Sequence, residues 1–106
     1  MSEKQSPGIY LIIEFDWPNP ITREQGQNAS NLHEILKGHT WIKESVAASG
    51  GIGGGAACIW IFWLKNYAAL DRLLHDKSDK VCQAYLAFFS EMPTVNEKIR
   101  EEVVFL

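Results

Sequence analysis

Ala56-Ala57-Cys58-Ile59-Trp60-Ile61-Phe62-Trp63-Leu64 sets a bulky apolar side chain at every position from Ile59 to Leu64. Alternate residues of a strand point to opposite faces, so Cys58, Trp60, Phe62 and Leu64 form one face and Ala57, Ile59, Ile61 and Trp63 the other. Neither face is designed for bulk water, and the stretch reads as a strand inside a sheet covered on both sides. The same pattern occurs in Ile9-Tyr10-Leu11-Ile12-Ile13-Glu14-Phe15, with Ile9, Leu11, Ile13 and Phe15 opposed to Tyr10, Ile12 and Glu14. That strand stops at Asp16-Trp17-Pro18-Asn19-Pro20, where the prolines remove ladder donors.

Between these two strands the spacing predicts a helix over Thr22 to Lys37. Thr22 and Gln25 fit a capping box, Ala29, Leu32, Ile35 and Leu36 follow helical periodicity, and Gly38 is placed to end the helix. Trp41 to Ala48 reads as a second strand. It is joined to Ala56–Leu64 by Ser49 to Gly55, whose glycines tolerate positive φ. A second helical region is capped by Asn66 and carries Leu70, Leu73 and Leu74 on one face. Asp76-Lys77-Ser78-Asp79 breaks it, with Asp76 or Ser78 capping a further helix marked by Cys82, Tyr85, Leu86 and Phe89. Pro93 closes the region, Asn96 to Glu102 is a charged approach, and Val103-Val104-Phe105-Leu106 is expected as the last strand. The order is βαββαβ, a ferredoxin-like α+β fold with two helices on one face of a four-stranded antiparallel sheet. Residues 1–8 are polar and read as a flexible N-terminal segment before a single domain over 9–106.

A chain of 106 residues, 46% of them hydrophobic and four of them tryptophan, supports one core. The net charge of −3 and pI near 5.5 argue against nucleic acid or an anionic membrane as partner. With neither an apolar leader nor a run long enough to span a bilayer, the expected location is cytoplasmic. Cys58 and Cys82 have no CxxC or Cys/His spacing and are expected to be buried free thiols, with no metal site. The sequon Asn28-Ala29-Ser30 is an accident of composition under that reading.

This segment order, with the stretch Trp63 to Phe89 in which a strand ends in an aromatic residue before a helix opening at Tyr67-Ala68-Ala69-Leu70, resembles the dimeric α+β barrel superfamily. That group includes the antibiotic-biosynthesis monooxygenase, stress-responsive and NIPSNAP-like families. The resemblance implies a homodimer that pairs helix-free sheet faces, and a pocket between sheet and helices. It also implies binding or cofactor-independent oxygenation or isomerisation of a small hydrophobic or aromatic molecule. A non-catalytic dimeric module binding a ligand or protein is the alternative, and haem binding through His75 or His33 a third.

The candidate residues follow. Glu14, an acid in an apolar strand, is either an inward carboxylate with a raised pKa serving as general base or an edge group that is solvated or paired with Lys43. Of His33, His39 and His75, none at i, i+4 spacing, His33 is the one beside the sheet-facing stripe and the candidate acid or base. Tyr10, Trp60, Trp63, Tyr85 and Phe89 are candidates to line an aromatic pocket, or core. Gly51-Ile52-Gly53-Gly54-Gly55-Ala56 matches a dinucleotide pattern in letters, but a strand rather than a helix follows it. An RNA-recognition sheet shares the element order, yet the strand lacks its basic entry residue and the chain is acidic.

Overall fold

The computed structural model describes residues 7–105; within strand β4 the side chain of Thr94 is outside the description. Its elements are β1 (Ile9–Asp16), α1 (Arg23–Ile35), β2 (Ile42–Ser49), β3 (Cys58–Leu64), α2 (Tyr67–His75), α3 (Lys80–Phe89) and β4 (Thr94–Glu101). The four strands form one antiparallel sheet in the order β2-β3-β1-β4, which is the expected βαββαβ order with the second helix split in two. Of the N-terminal segment, residues 1–6 lie outside the described residues. Gly8 is buried and continues the β1–β4 pairing, its N–H donating to Glu102 Oε1 at 2.8 Å and its carbonyl accepting from the Glu102 N–H at 2.9 Å. A side chain at Gly8 would collide with the Trp63 indole nitrogen and the Leu64 carbonyl, so the close approach requires glycine there.

The inner face of the sheet carries the core. Leu11, Ile13, Phe62 and Leu64 are fully buried beneath the helices, against Leu32 of α1, Leu73 of α2 and Val81 and Phe88 of α3. The helix caps are those that the residues dictate. Thr22 and Gln25 exchange reciprocal hydrogen bonds at 3.1 and 2.9 Å, and Asn66 accepts from the Ala69 N–H. Gly38, at φ +80°, turns the chain two residues beyond the Leu36 cap of α1. The cap of α3 is Asp79, not Asp76 or Ser78: Asp79 Oδ1 accepts from the Val81 N–H at 2.7 Å, while Asp76 is turned to Ser78.

Asp79 also holds Arg72 at 2.7 Å, and the Arg72 guanidinium lies 4.4 Å over the Trp41 ring. Burial works to raise the Asp79 carboxyl, but hydrogen bonds from Arg72 and the Val81 N–H, with the Arg72 charge, prevail and hold it below its ordinary 3.8. A depressed folded pKa contributes stability that is present above the unfolded value and lost as pH falls through the folded one. Asp79→Ala is therefore expected to cost about 1–2 kcal/mol at pH 7. In urea denaturation the gap between parent and variant should shrink once the pH drops below about 4.

The last strand is displaced from its expected place. β4 comprises Thr94–Glu101, and Val103, Val104 and Phe105 lie beyond it, Phe105 being 90% exposed; Leu106 is outside the described residues. The cause lies in β4's edge position. Its Asn96, Lys98 and Arg100 share the helix-free face, and on the inner side Glu97 and Glu101 are taken up by the hydroxyls of Tyr85 and Tyr67, each at 2.9 Å. A charged alternating stretch thus pairs along its whole length with β1, while the apolar run after it makes no ladder.

Candidate functional site

Small side chains leave an apolar hollow on the inner face of the sheet. On the inner face, β2 offers Ala47 and Ser49 where β1 and β3 offer Phe15 and Trp60, and α1 faces them with Ala29 and Ser30. The space not filled is an open cavity of about 440 Å³, lined also by Phe88 of α3 and by Trp17. Its size suits a small organic ligand. Phe88 meets both Trp60 and Phe15 edge-on, with ring centroids 5.6 and 5.5 Å away, so the floor is built on packed aromatic rings.

The polar groups at this cavity are few. His33 and Glu34, both exposed, stand on α1 at its mouth. Cys58 lines it too, buried, with its Sγ 3.4 Å from Ser49 Oγ. The Trp60 indole N–H is buried and has no acceptor among the described residues, as is also true of the indole N–H groups of Trp41 and Trp63 away from the cavity. A buried donor without an acceptor is uncommon in native proteins.

Of the residues singled out in the sequence, the structure brings His33 and Trp60 to this cavity and sends the others elsewhere. Tyr10 and Trp63 are on the helix-free face, stacked with centroids 5.7 Å apart and planes 16° from parallel, beside a shallow hollow of about 150 Å³. Tyr85 and Phe89 are buried core residues. The Tyr85 hydroxyl donates to Glu97, and burial, with the Glu97 charge, pushes its pKa far up. Glu14 is on the helix-free face too. Its Oε1 is 2.8 Å from Lys98 Nζ and 3.4 Å from Asn96 Nδ2, and the Lys98 hydrogen bond and charge lower its pKa rather than raise it. The expectation of a desolvated carboxylate with raised pKa is thus corrected. The expected Lys43 partner is corrected too, because Lys43 reaches Glu102 at 3.8 Å instead.

His39 Nε2 is 2.8 Å from the Ile35 carbonyl, and His75 Nδ1 is 2.9 Å from Asp71. Among the described residues no three metal-ligating side chains come together. The glycine run closes the β2–β3 hairpin, with Gly50 and Gly51 at φ +77° and +85° and the Gly50 N–H donating to the Ala57 carbonyl at 2.8 Å; a strand follows it, as the sequence requires. Phe15, Trp17, Ala47 and Phe88 belong to the cavity and are absent from the sequence candidates. The available signal was the pairing of small inner residues on β2 with an aromatic row on its neighbours.

No family model matches the chain, and no curated protein matches it. A solved structure does: a dimeric ferredoxin-like protein of unknown function from Thermobifida fusca YX superposes with a TM-score of 0.68 over 95% of this chain and 96% of that one, at 18% identity. The fold is ferredoxin-like. At that identity the likeness speaks for architecture, and in the ferredoxin-like sheet of this chain the cavity lies under α1 at the β2–β3 side. Among the described residues no helix is long and apolar enough to cross a membrane.

Proposed function

We propose that the chain is a homodimeric binder of a small hydrophobic or aromatic molecule, held in the cavity between α1 and the inner face of β2 and β3. The cavity itself carries the reading: about 440 Å³ of space with an aromatic floor and a polar mouth, open to solvent in a chain of 106 residues. Trp60 and Phe15 border the space that a flat ring would occupy. Dimerisation is supported by the helix-free face, where Tyr10, Ile12, Ile59, Ile61 and Trp63 are only half-buried and Val46 is 52% exposed. The Thermobifida structure is itself described as dimeric.

Should the ligand be an activated carbon acid, His33 is the group to take its proton, since its imidazole lines the cavity and is exposed at its mouth. Glu14, behind the sheet and paired with Lys98, is out of reach of the same molecule. Calorimetric titration with 1-naphthol tests the reading. Saturable binding is expected, abolished in Ala47→Phe, which fills the cavity, and retained in Tyr10→Ala on the opposite face. No binding, or equal binding by Ala47→Phe, would discard the site. Deuterium exchange at the central carbon of a 1,3-diketone, lost in His33→Gln, is the expected sign of proton transfer.

A further inference from the structure

The helix-free face carries one row whose chemistry reads oppositely from its two ends. The strand registers place Glu44 of β2, Trp63 of β3, Tyr10 of β1 and Arg100 of β4 side by side across the sheet. The row thus runs from acid through two stacked aromatics to base, with Lys43 Nζ, the partner of Glu102, 4.8 Å over the Trp63 ring. Other charges around this face are already paired: Glu14 with Lys98 and Lys43 with Glu102. Glu44 and Arg100 are exposed and have no ion-pair partner among the described residues; the Arg100 guanidinium reaches only the Ile99 carbonyl.

We propose that this row is the register mark of the homodimer, with Glu44 of one copy meeting Arg100 of the partner subunit at both ends of the interface. The inference rests on the homodimer reading and names its geometry. Two sheets facing each other have two simple twofold arrangements. With the axis along the strands, β2 lies over the partner's β4, so acid meets base twice and Trp63 lies over the partner's Tyr10. With the axis across the strands, β2 lies over β2 and β4 over β4, so Glu44 never meets Arg100, and where that axis runs along the row itself Glu44 opposes Glu44 and Arg100 opposes Arg100. Like charges placed together at an interface are strongly disfavoured, and an isologous contact repeats each penalty. The charge pattern therefore selects the axis along the strands. Rim charges of this kind fix register and partner choice more than they supply affinity, which the half-buried isoleucines and aromatics provide.

Sedimentation equilibrium at low salt tests this, on variants whose folding is checked by circular dichroism. The intact protein is expected to dimerise, and Glu44→Arg or Arg100→Glu alone to weaken the dimer about tenfold or more. The double exchange Glu44→Arg with Arg100→Glu should return the dissociation constant to within about threefold of the parent. A dimer indifferent to either single reversal, or a double variant no better than the singles, overturns the row. As a second measurement, Glu44→Cys mixed with Arg100→Cys should give the mixed disulfide under mild oxidation. Predominant like-with-like cross-links would place the axis across the strands and overturn the proposal. A folded intact protein that sediments as a monomer at micromolar concentration removes the homodimer reading itself, whereas a dimer that ignores the charge exchanges removes only this geometry.

Discussion

Truncating Phe88 to alanine is expected to lower stability by about 3–5 kcal/mol. Phe88 is fully buried and sets its ring edge-on or tilted against Phe15, Trp17, Trp60 and Phe89, at centroid distances of 5.5, 5.3, 5.6 and 4.8 Å. Its removal forfeits the transfer energy of a large side chain and leaves a hole that rings held in one geometry cannot collapse into. Domains of this kind hold about 5–15 kcal/mol in total, so the variant would stand near the edge of folding. Urea unfolding followed by circular dichroism measures the loss. Phe88→Leu, which keeps most of the volume, should cost clearly less. A loss below about 1 kcal/mol in the alanine variant would contradict the packing described, because cavity-forming core truncations cost more than that.

Leu32→Ala is expected to cost about 2–5 kcal/mol and to act on one element before the rest. Helix α1 is poorly made for independent stability: Gly26, Asn28 and Asn31 are weak helix formers, and Leu32 is its only buried side chain. Leu36, the capping residue just beyond, is the next anchor. With Leu32 gone, α1 should open by local unfolding while the sheet persists. Hydrogen exchange would then show the amides of residues 27–35 losing protection while those of β1 and β3 keep theirs. The cavity would lose its α1 wall, so 1-naphthol binding should vanish in conditions where the sheet is still folded. Unaltered protection across α1 would sink this account.

The two-faced strands, the capping box of Thr22 and the break at Asp76 to Asp79 were legible because each depends on local chemistry: alternation, a three-residue capping reach, and a run that prefers to cap rather than continue a helix. β4 was not, since its residues are charged and its pairing with β1 spans most of the chain; nothing local distinguishes Glu97 satisfied by Tyr85 from Glu97 in a loop. The apolar run from Val103 drew the assignment toward itself by hydrophobicity alone. The candidate site was legible in part. Alternation sets Trp60 and Trp63 on opposite faces of β3, and His33 is adjacent to the buried Leu32. Which of the two strand faces looks toward the helices is a tertiary property, so spacing did not say that Trp60 meets them while Tyr10 and Trp63 look away. The cavity is defined by what is small, Ala29 and Ala47, and small residues announce nothing until their large neighbours are known.

The central place of β1 has a consequence for how the chain comes into being. This strand leaves the ribosome ahead of every other strand described, yet it lies between β3 and β4, and its partner residues sit more than forty positions later in the case of β3 and more than seventy in the case of β4. Its only covering comes from elements not yet made, and Ile9 to Phe15, with six apolar side chains, one charge and no proline, has the composition of a segment that pairs with copies of itself. Contacts of such long sequence separation form slowly. The nascent chain therefore carries an uncovered, self-complementary strand until β3 and β4 have been made, and in that interval it is exposed to the aggregation that chaperones exist to prevent.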